Sequence, residues 1–251
     1  SLGYYDEVLP RARATARRQG YAGARWPKMT SPSGAESPSS VGPFLVWQQP
    51  HPIYYAELVH RERGDRATLE RFRDVVHETA EFMASFASWD AAGQRYVLGP
   101  QEIFPKDRTF NTAFELAYWR WGLEAAQRWR ERLSLPREPR WQAVLNRLSA
   151  LPVRDGKYLF AETAPESFTD PRWARDHPSV VGALGLLPGP GVDRATMQRT
   201  FDWIWTNWSF PDTWGWDYPM LAMTAARLEK PERAVDALLL DVPKNTYRPN
   251  G

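Results

Sequence analysis

The sequence predicts an all-α fold of stacked helical hairpins with one small β-hairpin. Apolar residues recur with a helical period along most of the 251-residue chain. The periodic segments alternate with loops of unequal length that are rich in Pro, Gly, Trp and Ser, as expected where one end of a set of hairpins carries the function. No repeat of fixed length indicates a solenoid. We therefore expect one helical domain over residues 1–251, whole or truncated at one or both ends.

Eight segments combine this period with the end signals of helices. Gly20 and Gly64 end the first two, Pro136 follows the fourth, and Pro219 and Pro231 begin the last two. The predicted helices span residues 4–19, 53–63, 66–89, 111–133, 140–150, 194–208, 219–228 and 231–240.

Residues 151–161 predict the β-hairpin, because Val153, Tyr158 and Phe160 flank the turn pair Asp155-Gly156. We found no other convincing strand signal. The remaining long segments, residues 21–51, 98–110, 162–190 and 209–218, are predicted loops.

Composition excludes several classes of function. The 32 basic and 30 acidic residues nearly cancel and are spread along the helices, so no surface for nucleic acid is expected. No apolar run approaches the ~20 residues of a membrane span, and residues 1–9 do not form a signal peptide. The chain has no cysteine, and its four histidines lack metal-ligand spacing, so no disulfide, metal or cofactor is predicted. The compartment is left open.

Aromatic content is the unusual feature of the composition. The 13 Trp, 10 Tyr and 11 Phe make up 14% of the chain, and many lie in the predicted loops. Aromatic faces pack against the apolar faces of sugars while polar neighbours bind the hydroxyls. The alternative is that most of these tryptophans belong to the core.

Five short motifs follow one another in the first half of the chain. They are a Gly-Ala-Arg-Trp-Pro loop at residues 23–27, a Gly-Ala-Glu turn at residues 34–36, a polar run opening a helix at residues 47–54, a Gly-Pro-Gln-Glu loop within residues 98–102, and the run at residues 109–114. In this order they resemble glycoside hydrolase family 65, of the six-hairpin glycosidase superfamily, which has a G-A-x-[FW]-P loop, a G-x-E turn, such a polar run, a G-P-D-E or S-P-D-E loop and an N-x-x-[YF]-T-N run opening the next helix. The resemblance implies an (α/α) toroid, and it is looser beyond residue 130.

The resemblance implies an inverting glycoside hydrolase with a carbohydrate substrate. Such an enzyme needs a general acid and, on the opposite face of the sugar, a general base. The resemblance places the acid at Glu102, and the best candidate for the base within the chain is Asp217, which three aromatic residues flank. Trp214 and Trp216 are candidate sugar contacts beside it. The remaining substrate-binding candidates are Arg25, Trp26, Glu36, Trp47, Gln48, Gln49 and His51.

Other interpretations of these residues stay open. Asp217 could cap the helix that follows, His51 could cap its own helix, and Trp47 could simply pack the helix start. At the level of function, a sugar phosphorylase or a polysaccharide lyase could use the same scaffold, the lyase with Tyr54 and His51. A non-catalytic module that binds a carbohydrate or a protein partner is a further alternative. The sugar, its linkage and the oligomeric state are left open.

Overall fold

The computed structural model describes residues 2–39, 42–103, 106–247 and 249, and gives the backbone alone for residues 101–103 and 106–108. Within these residues it contains nine helices and three two-stranded sheets, which confirms the predicted all-α class. The chain forms two compact units, Ser1–Glu102 with Tyr118–Ser149, and Ile103–Ala117 with Ala150–Gly251. The expectation of one domain over residues 1–251 stays a prediction.

The first unit is built mainly on four helices and the greater part of a fifth. They are α1 (Gly3–Arg18), α2 (His51–Arg63), α3 (Arg66–Phe86), α4 (Ala113–Arg132), of which residues from Tyr118 onward belong to this unit, and α5 (Pro139–Arg147). Gly64 ends α2 in the left-handed conformation, with φ of 65°. Asp65 then caps α3 by accepting a hydrogen bond from the Thr68 backbone N–H at 2.7 Å.

The second unit has shorter elements. Strands β5 (Val153–Arg154) and β6 (Lys157–Tyr158) form the predicted hairpin, which pairs Val153 with Tyr158. The helices are α6 (Gly182–Gly185), α7 (Arg194–Asn207), α8 (Asp217–Arg227) and α9 (Pro231–Leu238). Asp193 caps α7 through the Thr196 backbone N–H at 2.8 Å.

Two strand pairs lie where the sequence predicted a helix end and a loop. Strands β1 (Ser88–Asp90) and β2 (Arg95–Val97) pair antiparallel, with Trp89 opposite Tyr96, so the predicted helix 66–89 ends earlier, at Phe86. Asp90 closes their turn by accepting from the Ala92 and Gly93 backbone N–H groups, each at 3.1 Å. Strands β3 (Gln101–Ile103) and β4 (Lys106–Thr109) form the other pair, within predicted loop 98–110.

Buried tryptophans organise the core of the first unit. Trp119 and Trp129 are fully buried on α4, and their indole N–H groups donate to backbone carbonyls of α3, at Met83 and Leu69. These side chains support packing, which is the alternative that the sequence left open for any single tryptophan. Among the described residues, no helix combines the length and the apolar character needed to cross a membrane.

Candidate functional site

A pocket of about 170 Å³ in the first unit brings together several of the predicted substrate-binding residues. We call it the aromatic pocket. Its aromatic walls are Tyr4, Tyr5, Trp26, Trp47 and His51, and its polar lining includes Thr15, Lys28, Thr30 and Gln48. Aromatic faces mixed with a few fixed polar groups are typical of sites for small polar ligands.

The loop that carries Trp26 is held from behind by Arg25 and Gln49. Gln49 accepts from the Trp26 backbone N–H at 2.9 Å and donates to the Ala24 carbonyl at 2.7 Å. Arg25 donates to the carbonyls of Trp26, at 2.6 Å, and of Leu45. Burial lowers the pKa of Arg25 to about 10, so it remains charged at neutral pH. Both side chains form hydrogen bonds to the protein backbone, and we expect them to support the pocket rather than contact a ligand.

Gln48 presents a buried acceptor that no described residue satisfies. Its amide nitrogen donates to the carbonyls of Trp26 at 2.9 Å and Leu45 at 3.1 Å, which fixes the orientation of the amide. The side chain is only 7% exposed, and its Oε1 has no hydrogen-bond partner in the described part of the chain. A buried polar atom without a partner costs about 1–3 kcal/mol. Because Oε1 is itself buried, a hydroxyl bound in the aromatic pocket would reach it only after Gln48 or its neighbours moved.

His51 lies at the start of α2 and lines the same pocket. Its Nδ1 is 2.9 Å from the Tyr118 hydroxyl, and its ring packs edge-on against Trp47 with centroids 5.3 Å apart. Burial lowers the pKa of His51 to about 4, so the imidazole is neutral at physiological pH. No side-chain hydrogen bond caps α2, and the capping interpretation of His51 is therefore wrong.

Trp26 both lines the pocket and belongs to the core. Only 4% of it is exposed, it packs with Val8, Leu9 and Val75, and its indole N–H donates to the Thr79 hydroxyl at 2.8 Å. Trp47 is only partly buried. Of the two predicted stacking residues, Trp47 therefore has more ring surface to offer a ligand.

Two further predicted residues of this unit lie elsewhere. Glu36 lines a neighbouring depression of about 510 Å³ with Arg11 and Arg18, which shares Thr15 and Gly34 with the aromatic pocket. Glu102 belongs to strand β3, and its side chain lies outside the part of the chain that the structure describes.

Asp217, Trp214 and Trp216 are in the second unit, where they surround a histidine that the sequence analysis did not select. Asp217 is the first residue of α8 and is fully buried. Both of its carboxylate oxygens lie 3.0 Å from Nδ1 of His177, and Oδ2 also accepts from the Trp214 backbone N–H at 2.9 Å. Burial raises the pKa of Asp217, and the hydrogen bond from His177 offsets part of this effect.

Asp217 does not cap α8. The N-cap residue is Trp216, and its side chain makes no capping hydrogen bond. The carboxylate instead bonds to the preceding loop and to His177. The capping interpretation of Asp217 is therefore wrong, and its role at a ligand site stays a prediction.

The sequence analysis missed three aromatic residues of these sites, Tyr4, Tyr5 and His177, besides Thr15, Lys28 and Thr30 in the pocket lining. Tyr4 and Tyr5 reach the aromatic pocket from α1, since the Tyr4 hydroxyl bonds to Thr30 and Tyr5 packs edge-on against Trp26 with centroids 5.2 Å apart. His177 follows Asp176 and precedes a proline in an aromatic-rich loop, which is a weak signal. None of the three lies in a motif, and only tertiary packing brings them to these places.

Comparisons with known proteins indicate the fold alone. No family model matches the sequence, and no curated protein matches it either. A solved structure named "Putative kojibiose phosphorylase from human microbiome" is similar, with a TM-score of 0.71, 9% sequence identity and 92% of this chain covered. The chain spans 40% of the length of that structure. This likeness supports the predicted all-α fold of helical hairpins.

Proposed function

We propose that this chain is part of an enzyme that cleaves glycosidic bonds, and that the aromatic pocket binds one sugar unit of its substrate. The observation that carries the proposal is a pocket walled by Trp47, His51 and two tyrosines, with Gln48, Lys28 and Thr30 in its polar lining. The ring surfaces suit the apolar faces of a sugar, and the polar lining suits its hydroxyls. The fold likeness to a structure named as a phosphorylase agrees with this proposal.

The reaction that we propose is inverting hydrolysis with Glu102 as the general acid. The acid protonates the leaving oxygen while an activated water attacks the anomeric carbon from the opposite face. The assignment of Glu102 rests on the motif Leu98-Gly99-Pro100-Gln101-Glu102 and its resemblance to family 65. Asp217, the sequence-based candidate for the base, is fully buried and already accepts hydrogen bonds from His177 and the Trp214 backbone, so the base stays unassigned in this proposal.

Phosphorolysis is the second candidate, because the structural neighbour is named as a phosphorylase. In that reaction inorganic phosphate replaces the water and no general base is needed. The two reactions differ in one measurable respect, which is the dependence of bond cleavage on phosphate.

The test is a screen of the purified chain against α- and β-linked disaccharides, including kojibiose and maltose, with and without phosphate. NMR of the fresh product gives its anomeric configuration. Inverted product without phosphate supports hydrolysis, and strict dependence on phosphate supports phosphorolysis. Sugar binding without cleavage by a chain that unfolds cooperatively would instead support the binding module.

Two pairs of variants test the residues. Glu102→Gln should lower kcat by ~10²-fold or more on substrates with poor leaving groups, whereas Glu70→Gln, at an exposed carboxylate of α3, should not. Trp47→Ala should weaken sugar binding by about 1 kcal/mol, whereas Trp89→Ala, at an exposed ring of strand β1, should not. Equal effects within either pair would contradict the assignment.

A further inference from the structure

The cluster around Asp217, in the second unit, has the geometry of a second ligand site. The Asp217 carboxylate cannot be the group that contacts the ligand there. Asp217 has no exposed surface, and both of its oxygens already accept hydrogen bonds, from His177 and from the Trp214 backbone. A sugar hydroxyl could reach this carboxylate only if one of those bonds broke. The group that meets a ligand here has to be a neighbour of Asp217.

His177 is the neighbour with an accessible polar atom. An ionised carboxylate can only accept, so the bond to Asp217 makes Nδ1 of His177 the donor. In the neutral imidazole the proton then lies on Nδ1, and Nε2 carries a lone pair that can accept from a hydroxyl. Nε2 is 3.6 Å from the Asp176 carboxylate, too far for a hydrogen bond, and the side chain of His177 is 32% exposed.

Two exposed tryptophans flank this imidazole. Trp216 packs on the ring of His177 with centroids 4.4 Å apart, and Trp214 lies 6.1 Å from it. They are 46% and 51% exposed, so each offers ring surface to solvent, although Nζ of Lys244 lies over one face of Trp214, 4.2 Å from the ring centroid. Large exposed aromatic surfaces beside a polar acceptor are the elements of a sugar contact.

Hydrogen bonds from two tryptophans hold the residue before His177, Asp176, in place. Asp176 adopts a positive φ of 61°, a conformation uncommon outside glycine. The indole N–H of Trp208 donates to the Asp176 carbonyl at 3.1 Å, and that of Trp214 donates to its carboxylate at 2.6 Å. Asp176 is therefore fixed, and with it the start of the backbone that carries His177.

We infer that His177, Trp214 and Trp216 form a second carbohydrate-contacting site, in which Nε2 of His177 accepts a hydrogen bond from a sugar hydroxyl. Asp217 is a positioning residue that acts through His177 by holding the tautomer with the proton on Nδ1. The ligand class is an uncharged sugar, because the charges around the site are mixed: the carboxylates of Asp176 and Asp217 face the imidazole, and the Lys244 ammonium lies 4.2 Å from the centroid of the Trp214 ring. The choice of a sugar rests on the proposed function, whereas the His177–Asp217 geometry does not.

The tautomer is measured first, in the full chain, by ¹⁵N NMR of the imidazole nitrogens near neutral pH. The four histidines are distinguished by the loss of one signal set in His177→Asn. We expect Nδ1 of His177 to carry the proton, and Asp217→Asn to make the other tautomer detectable. Asp202→Asn, at an aspartate paired with Lys230 instead, should leave it unchanged. A His177 tautomer that Asp217→Asn does not alter would overturn the positioning role.

The sugar contact is measured by adding maltose and kojibiose to the same samples. We expect the His177 nitrogens and the indole signals of Trp214 and Trp216 to shift on binding. His177→Asn keeps a donor for Asp217 but removes Nε2, so it should weaken binding at these indoles about tenfold, equivalent to one lost hydrogen bond. Indole and imidazole signals that stay unmoved at a saturating sugar concentration would overturn the site.

The two proposals fail in different ways. If disaccharides are cleaved and Trp47→Ala impairs cleavage while the signals of His177 and Trp216 do not move, the proposed function stands and the second site does not. If these signals move while no disaccharide is cleaved, the second site stands and the enzyme proposal is contradicted.

Discussion

Gly23 is the residue at which the pocket loop comes closest to helix α3. Its φ is 69°, and a Cβ added there would lie 2.2 Å from the carbonyl oxygen of Glu78 and 2.4 Å from the backbone nitrogen of Phe82. The next residue, Ala24, donates its N–H to the same Glu78 carbonyl at 2.8 Å. Only glycine allows this approach, which places Trp26 in the wall of the aromatic pocket.

Gly23→Ala should therefore lower the free energy of unfolding by roughly 2–5 kcal/mol, the sum of left-handed strain and overpacking. Gly64→Ala is the matched control, because Gly64 has φ of 65° with nothing within 4 Å of the added Cβ. Gly64→Ala should lower the free energy of unfolding only by the left-handed strain, about 1–2 kcal/mol. Urea denaturation measures both, and equal losses would show that the close approach does not constrain Gly23.

His51 should make stability depend on pH. Burial lowers its pKa from 6.5 to about 4, so between these values the unfolded chain binds a proton at His51 that the folded chain does not. The free energy of unfolding then rises with pH across this window and falls as the pH drops through it. Once the pH has fallen below both pKa values, the free energy of unfolding should be lower by about 3 kcal/mol because of His51 alone.

The measurement compares urea denaturation of the wild type and His51→Asn from pH 4 to 7.5. Other groups titrate in both proteins, so the difference between the two curves isolates His51. That difference should narrow as the pH falls, because the wild type loses the contribution of a neutral, buried imidazole. Parallel curves would contradict this account of His51.

At the scale of the elements, a buried ion pair ties α2 to α4. The Glu57 side chain is nearly fully buried and accepts from Nη1 and Nη2 of Arg132 at 2.6 Å and 3.1 Å. Arg61 adds a third bond at 3.3 Å. Burial alone would raise the pKa of Glu57, but the bonds from Arg132 and Arg61 outweigh it and lower the pKa. Removing the negative charge of Glu57 should leave the Arg132 guanidinium without the carboxylate that it pairs with.

Glu57→Gln should lower the free energy of unfolding by about 1.5–3 kcal/mol, the range for hydrogen bonds to charged groups. Glu70→Gln removes an exposed carboxylate that pairs with Arg66 one helical turn away, and it should cost less than about 0.5 kcal/mol. Thermal and urea unfolding of the two variants give the comparison. A loss at Glu57 no larger than that at Glu70 would mean that the pair does not hold α2 to α4.

At the scale of the whole molecule, sugar binding should appear as added stability. A disaccharide present at about 100 times its dissociation constant raises the free energy of unfolding by about 2.7 kcal/mol. For a chain of this length that corresponds to a rise in Tm of roughly 5–10 °C. Trp47→Ala should reduce this sugar-dependent rise in Tm, whereas Trp89→Ala should leave it unchanged. A rise that an equal concentration of mannitol reproduces would reflect a solvent effect and not a site.

Much of the fold could be predicted because helices depend on local signals. The predicted helix 53–63 ends at the last residue of the observed α2, and the predicted helix 194–208 begins at the first residue of the observed α7, since Gly64 and the Asp193 cap act on their own neighbours. Strands β1 and β2 were missed because three residues are too few to show an alternating pattern. Their pairing depends on Trp89 meeting Tyr96 across the turn.

The site was predictable only in part, for a similar reason. Trp26, Trp47, Gln48 and His51 lie in motifs close together in sequence, and the structure brings all four to one pocket. Arg25 and Gln49 belong to the same motifs, yet their hydrogen bonds go to the backbone behind the pocket. Which motif residues face a ligand depends on how the loop packs against α3, which the motif itself does not encode.

By itself, the sequence determined the helical class, several of the helix ends and the aromatic, polar character of the candidate ligand sites, because periodicity, caps and composition act over a few residues. Only the tertiary structure decided that Tyr4 and Tyr5 join Trp47 around one pocket and that His177 lies between Asp217 and Trp216. These contacts join residues 39 or more positions apart. They form because apolar faces are buried together and buried polar groups must find partners, conditions that the chain meets only when it is folded.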